Sequence, residues 1–218
     1  MTAVIFDTET TGTAEPEIIE AAWLRLDSPT TLIVTEQFEQ RYRPTQRITL
    51  GALAVHHIYD EELADCPPHT DFKLPLDVQY IIGHNVDYDW KVAGQPDVKR
   101  ICTLALSRSL YPDADSHSQS AMIYLIDRAN ARNLLKAAHS AMADAQNCRS
   151  LLAHLIGLAG PTADWEALWQ LSEQARIPKV MTFGKHKGTP IVDVPADYKR
   201  WLLGQADIDP YLRAALRA

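Results

Sequence analysis

The 218 residues carry 46% apolar side chains, five Trp and a formal net charge of −7, enough chain for one medium domain plus a small appendage around a real core. No apolar run approaches the roughly 20 residues that a membrane-spanning helix needs, so no membrane partner is expected. Three widely spaced cysteines without His partners (Cys66, Cys102 and Cys148) argue against a disulfide framework or a zinc site and for a reducing cytoplasm.

The acidity is uneven. Residues 1–160 hold 13 Lys/Arg against 21 Asp/Glu, whereas 161–218 hold 8 against 7. In the second part, 174–192 contains Arg176, Lys179, Lys185, His186 and Lys187 and no acid, so any basic patch is expected there.

The opening MTAVIFDTE lacks a basic segment and a small-residue cleavage site, so no signal peptide is expected. Residues 3–6 read as a buried strand. Two more strands, 17–26 and 30–42, flank the turn DSPT, and three strands at this spacing predict an antiparallel meander. Short helices are expected at 49–58 and 60–66, the second stopped by Pro67 and Pro68. Residues 66–76, with three prolines and no periodicity, read as a loop. Strands at 78–85 and 98–104 and helices at 104–110, 118–131 and 141–156 complete an α/β pattern with a mixed sheet. GLAGPT (157–162) is the expected linker. Beyond it lie a helix over 164–175, a hairpin over 180–194 with its turn at Gly184 and Gly188, and two helical segments.

The chemistry-bearing residues sit where strands run into polar turns. Asp7 and Glu9, at i and i+2 where the first strand ends, share a face. An acid pair at this spacing is by itself weak evidence. In GHNVDYDW (83–90), Asn85 reads as an N-cap that puts Asp89 in the first helical turn, where the helix dipole favours a carboxylate. Asp87 competes for that role; on a helix the two lie about 200° apart, so only one faces the site. In HSAMADA (139–145), Ser140 reads as an N-cap, Asp144 falls in the first turns, and His139 lies just before the cap.

Together, FDTETTG, HNVDYD and HSAMAD resemble, in order and approximate spacing, the three motifs of the DnaQ-like, DEDDh 3′–5′ exonuclease superfamily. On that resemblance Asp7 and Glu9 match the first acidic pair, Asp89 the second motif's acid and Asp144 the last acid. His139 matches the histidine five positions before it. Ser140 stands where the sister subclass carries Tyr, and Tyr88 replaces the usual Phe. ITLGALAVHHI looks like the helix that carries a His in many members, with His56 the better fit. The tail MTFGKHKGTPIVDVPADYKRWLL resembles the C-terminal segment of the exonuclease X group, while 66–76 looks short for the superfamily.

The resemblance implies an α/β, RNase H-like domain over 1–158, a mixed five-stranded sheet flanked by helices, followed by a small α+β lobe over 159–218. It implies hydrolysis of DNA from 3′ ends to 5′-mononucleotides. Exoribonucleases of the RNase T and oligoribonuclease type, acting on RNA, and a polymerase-bound proofreading subunit are the alternatives. Thr10, Gly12, His56, His84 and Asn85 would line the nucleic-acid path, and Lys185 and Lys187 would grip phosphates. Four converging carboxylates repel, each pair at ~4 Å by on the order of 4 kcal/mol at an effective dielectric of ~20. They stay ionised only beside cations, and oxygen-only ligands suit two Mg²⁺ or Mn²⁺.

Overall fold

In the computed structural model, which describes residues 2–160 and 162–217, the apolar opening of the chain forms the middle strand of a five-stranded sheet. The order is β3 (Val34–Arg41), β2 (Ile18–Leu26), β1 (Thr2–Thr10), β4 (Val78–Gly83) and β5 (Lys99–Cys102). β1, β2 and β3 form the antiparallel meander, whereas β4 pairs with β1, and β5 with β4, in parallel. Parallel strands buried on both faces read as continuous apolar runs, and Ala3–Phe6 and Tyr80–Ile82 are buried accordingly.

Helices follow as α1 (Leu50–His56), α2 (Asp87–Val92), α3 (Thr103–Leu110), α4 (Gln119–Ile126), α5 (Ala131–Leu134) and α6 (Ala141–Ala159). α6 lays Ala145, Cys148, Leu151, Leu152 and Leu155 inward and packs on β1 and β2. Phe6 stacks on Phe72 of the proline-rich loop at 5.5 Å. This loop therefore contributes to the core in spite of its lack of periodicity.

The chain divides into two compact units, Met1–Ser172 and Glu173–Ala218. The break lies inside α7 (Trp165–Arg176), later than the boundary expected near 158, because Trp165, Leu168 and Ser172 are buried and the Ser172 hydroxyl accepts from the Cys102 amide at 2.8 Å. Pro161, within the expected linker, lies outside the described residues. The second unit adds α8 (Ala196–Leu203) and α9 (Pro210–Arg217) around Met181, Ile191, Val194, Leu202, Leu212 and Leu216.

Local expectations differ from the structure at several points, among them a 3₁₀ turn at Asp60–Leu63 in place of the helix expected over 60–66. β1 runs on to Thr10, so Asp7 and Glu9 lie within the strand, with a bulge after Glu9. Asn85 is not an N-cap: it takes the left-handed conformation at φ 74° and turns β4 toward α2, while Val86 occupies the N-cap position without a side-chain capping bond. The helix expected over 118–131 breaks at Asp127, whose carboxylate accepts from the Asn130 backbone and side-chain N–H groups. The hairpin of the tail reduces to one antiparallel bridge, Val180 with Pro190; Pro190 has no N–H to extend a ladder.

Candidate active site

β1 carries its two acids past the point where β4 leaves it. The parallel register ends at Ile5 with Ile82, and farther along β1 the amide of Thr8 donates instead to Asp89 Oδ1 at 3.0 Å. The Thr8 hydroxyl donates to the same oxygen at 2.7 Å. This clamp fixes Asp89, in the first turn of α2 and buried, beside β1. Asp87 turns away and pairs with Arg100 at 2.6 Å. α6 brings Asp144 from the other side, so one oxygen each of Asp7, Glu9 and Asp144 lies within 4.8 Å of the others.

The electrostatics follow from that crowding. Burial, then repulsion from Asp89, Asp144, Glu9 and Glu20, pushes the Asp7 carboxyl well above the usual range. Glu9 rises to about 8 by burial and by Asp144, Glu20 and Asp89. Burial raises Asp89 to about 7 against the pull of the Thr8 hydrogen bonds. Asp144 is raised by burial, against hydrogen bonds that favour its ionised form. The group thus holds protons at neutral pH unless cations compensate it.

Two residues that the sequence reading passed over hold this arrangement. Glu20, opposite Glu9 in the β1–β2 register, is only 3% exposed. Its Oε1 accepts from Arg41 Nε at 3.0 Å and its Oε2 from the Ala141 amide at 2.8 Å. It therefore satisfies an orphan N–H at the start of α6, where the Ser140 side chain forms no capping bond. The only signal in the sequence is an acid inside the apolar run IIEAAWL. Gln119, the first residue of α4, donates through Nε2 to the Asp144 carbonyl at 3.0 Å and to Oδ1 at 3.2 Å. No sequence signal marks it.

His139 is exposed, in the left-handed conformation at φ 69°, and its amide donates to Asp144 Oδ2 at 3.0 Å. The backbone thus ties the imidazole's loop to the acid cluster while the ring stays accessible.

The residues expected along the nucleic-acid path divide. Gly12 lies where the loop after β1 meets α1: a Cβ there would meet Thr49 Oγ1 at 2.8 Å. The buried Thr10 hydroxyl donates to the Gly12 carbonyl at 3.0 Å and contacts the Tyr88 hydroxyl at 2.6 Å. His56 is buried, with Nδ1 accepting from the Ile58 amide. His84 spends both ring nitrogens internally, on the Thr103 hydroxyl and the His117 carbonyl, and neither is left for a phosphate. Asn85 is exposed.

In the second unit Lys185 and Lys187 are exposed on either side of His186. That imidazole meets Tyr198 edge-on at 4.6 Å, and Tyr198 lies 5.3 Å from Trp201, itself 56% exposed. Gly184 at φ 71° lets the turn pass Tyr198, whose hydroxyl a Cβ would meet at 2.6 Å.

Comparison with known proteins agrees with this geometry. The RNase_T exonuclease family model matches residues 4–152. Exodeoxyribonuclease 10 of Escherichia coli (strain K12) is 28% identical over 220 residues, covering 98% of this chain and 96% of the relative. A structure of exonuclease X in complex with 5′-overhanging duplex DNA superposes with a TM-score of 0.62 at 25% identity, covering 78% of this chain and 99% of that one. A complex of E. coli ExoI with single-stranded DNA shares the fold, with a TM-score of 0.59 at 18% identity over 95% of this chain and 60% of that one. Among the described residues no helix is long and apolar enough to cross a membrane. The acids that β1, α2 and α6 gather thus sit in the fold of a nuclease, and the chain belongs to the RNase_T exonuclease family as a DnaQ-like 3′–5′ exonuclease that hydrolyses phosphodiester bonds.

Proposed function

We propose that this protein removes 5′-mononucleotides from the 3′ ends of DNA, with Asp7, Glu9, Asp89 and Asp144 holding two divalent cations, Mg²⁺ or Mn²⁺. The observation that carries this reading is the convergence of Asp7, Glu9 and Asp144 within 4.8 Å beside the buried Asp89. The donor set is all oxygen, as these hard cations prefer. When bound, they would neutralise the cluster, polarise the scissile phosphate and lower the pKa of the attacking water.

His139 takes the proton from that water as general base; its accessible ring and tethered amide support the role. Thr8 holds Asp89, and Gln119 holds Asp144, in the orientation that the site requires. Thr10 and Gly12 shape the loop over which the 3′ nucleotide lies, and Asn85 faces solvent at the turn before α2. His84 and His56 brace the walls.

DNA is favoured because the relatives matched along nearly their whole length are exodeoxyribonucleases. The lobe that follows the catalytic domain contributes Lys185 and Lys187 to the grip on the backbone, with His186, Tyr198 and Trp201 beside them. The test is digestion of end-labelled single-stranded DNA, duplex DNA and RNA, each with Mg²⁺ and with EDTA. Mononucleotides released from DNA 3′ ends, only with metal, are expected. Faster release from RNA would refute the choice of DNA, and full activity in EDTA would refute the metal mechanism.

A further inference from the structure

The expectation that positive charge collects only in the tail misses a second acid-free stretch, 128–143, which holds Arg128, Arg132, Lys136 and His139. Here α4 ends with Tyr124 and Leu125 turned outward, 45% and 47% exposed. The acid that precedes the stretch, Asp127, is occupied by Asn130. A groove of about 510 Å³ opens alongside, lined by Tyr124, Arg128, Ala129 and Arg132.

Most basic side chains on this unit's sheet face an acid: Lys99 pairs with Glu166, Arg100 with Asp87, Arg41 with Glu20 and Glu62, and Arg25 with Glu36 and Asp77. Arg128, Arg132 and Lys136 are exposed and have no ion pair among the described residues. Unpaired like charges held together in a protein of net charge −7 raise each other's energy, and a polyanion removes that cost.

The chain from Gln119 to His139, which carries the groove, is tied at both ends to the Asp144 carboxylate. Gln119 opens α4 on Asp144, and His139, three residues past Lys136, donates its amide to the same side chain. The stretch that lines the groove therefore leaves the acid cluster at Gln119 and returns to it at His139.

We propose that Arg128, Arg132 and Lys136, with the ring of Tyr124 beside them, form a track for the sugar–phosphate backbone of the substrate beyond the nucleotide being removed. The inference rests on the nuclease reading above and extends it. The cluster and its cations take only the scissile phosphate; the neighbouring phosphates need cations that the acidic cluster cannot provide, and Arg is suited to paired contacts with them. The exposed Tyr124 ring offers a surface on which a base or sugar packs.

The test is the salt dependence of DNA binding, followed by anisotropy of a labelled 20-mer in EDTA, so that no cleavage intervenes. Each phosphate contact contributes about 0.9 to the slope of log affinity against log salt on duplex and about 0.7 on single strands. Arg128→Ala/Arg132→Ala/Lys136→Ala is expected to flatten the slope by roughly 2 and to weaken binding at low salt at least tenfold. Lys73→Ala/Lys91→Ala, two exposed lysines elsewhere on the unit, should move it far less per charge removed. An unchanged slope, or an equal effect per charge from the second variant, overturns the track. Wild type that binds DNA with a steep slope but cuts no nucleic acid with Mg²⁺ refutes the nuclease reading, while the slopes still decide the groove. Wild type that binds no DNA overturns the proposal directly.

Discussion

Glu9→Gln separates what the acid cluster does for chemistry from what it costs the fold. In the metal-free protein, burial and the carboxylates of Asp144, Glu20 and Asp89 raise Glu9 from 4.5 to about 8. A carboxyl whose folded pKa is raised contributes stability that is fully present below about 4.5 and is lost as pH rises through about 8. At about 1.36 kcal/mol per pH unit this amounts to on the order of 5 kcal/mol, an upper bound because protons on Asp7 and Asp89 relieve part of the repulsion. Gln has nearly the same shape and no proton to lose. In EDTA, wild type should therefore lose stability between pH 5 and pH 9 relative to Glu9→Gln, while carboxylates elsewhere cancel in the comparison. A domain of this size shifts its Tm by roughly 2–4 °C per kcal/mol, so the variant should melt roughly 5–15 °C above wild type at pH 9 and close to it at pH 5. Differential scanning calorimetry across that pH range measures the gap. With Mg²⁺ the order should reverse, because wild type gains stability from the ion that it binds, and nuclease activity should be nearly absent in Glu9→Gln. Parallel melting curves at pH 5 and pH 9 would refute the account of the cluster as a set of carboxylates held against their own repulsion.

Asp89→Asn should abolish activity, whereas Asp87→Asn should keep it and lose about 1 kcal/mol of stability from a half-buried pair with Arg100; the opposite pattern in a nuclease assay would exchange their roles. His139→Ala should slow the chemical step by about 10²–10⁴ with Mn²⁺ affinity by titration calorimetry nearly unchanged, and a variant whose main defect is lost metal would make the histidine a ligand. Glu20→Ala leaves the Ala141 amide without its acceptor and the part-exposed Arg41 with Glu62 alone, at a cost of about 1–3 kcal/mol for the unsatisfied buried amide; an unshifted urea midpoint would contradict that. Lys185→Ala/Lys187→Ala should flatten the salt slope of duplex binding by up to ~2 and shorten processive runs on long DNA, and an unaltered slope would make the turn purely structural.

What could be read from the sequence, and what could not, follows the range of the interactions involved. The sheet was legible because burial on both faces leaves apolar runs in β1, β2 and β4 that no solvated element would carry. Asp7, Glu9, Asp89, His139 and Asp144 were legible as a pattern because each sits at the end of such a run or the start of a helix. Asn85 misled because the short polar side chain that caps helices also tolerates the left-handed conformation, and nothing local chooses between them. Glu20 was invisible as a structural acid, since its partners lie 21 and 121 residues away. An acid alone in a strand looks the same whether it faces water or a helix N-terminus. The cations of 128–143 escaped for a different reason: charge summed over 1–160 is dominated by acids, yet those acids lie elsewhere or, like Asp127, are bound by neighbouring amides. Net charge governs how the whole molecule meets a polyanion at a distance, but within a Debye length of about 8–10 Å only the unpaired charges count. On the track proposed above, an acidic nuclease can hold its substrate through a few arginines left without acids, and the salt slopes of the Arg128/Arg132/Lys136 variant decide whether this one does.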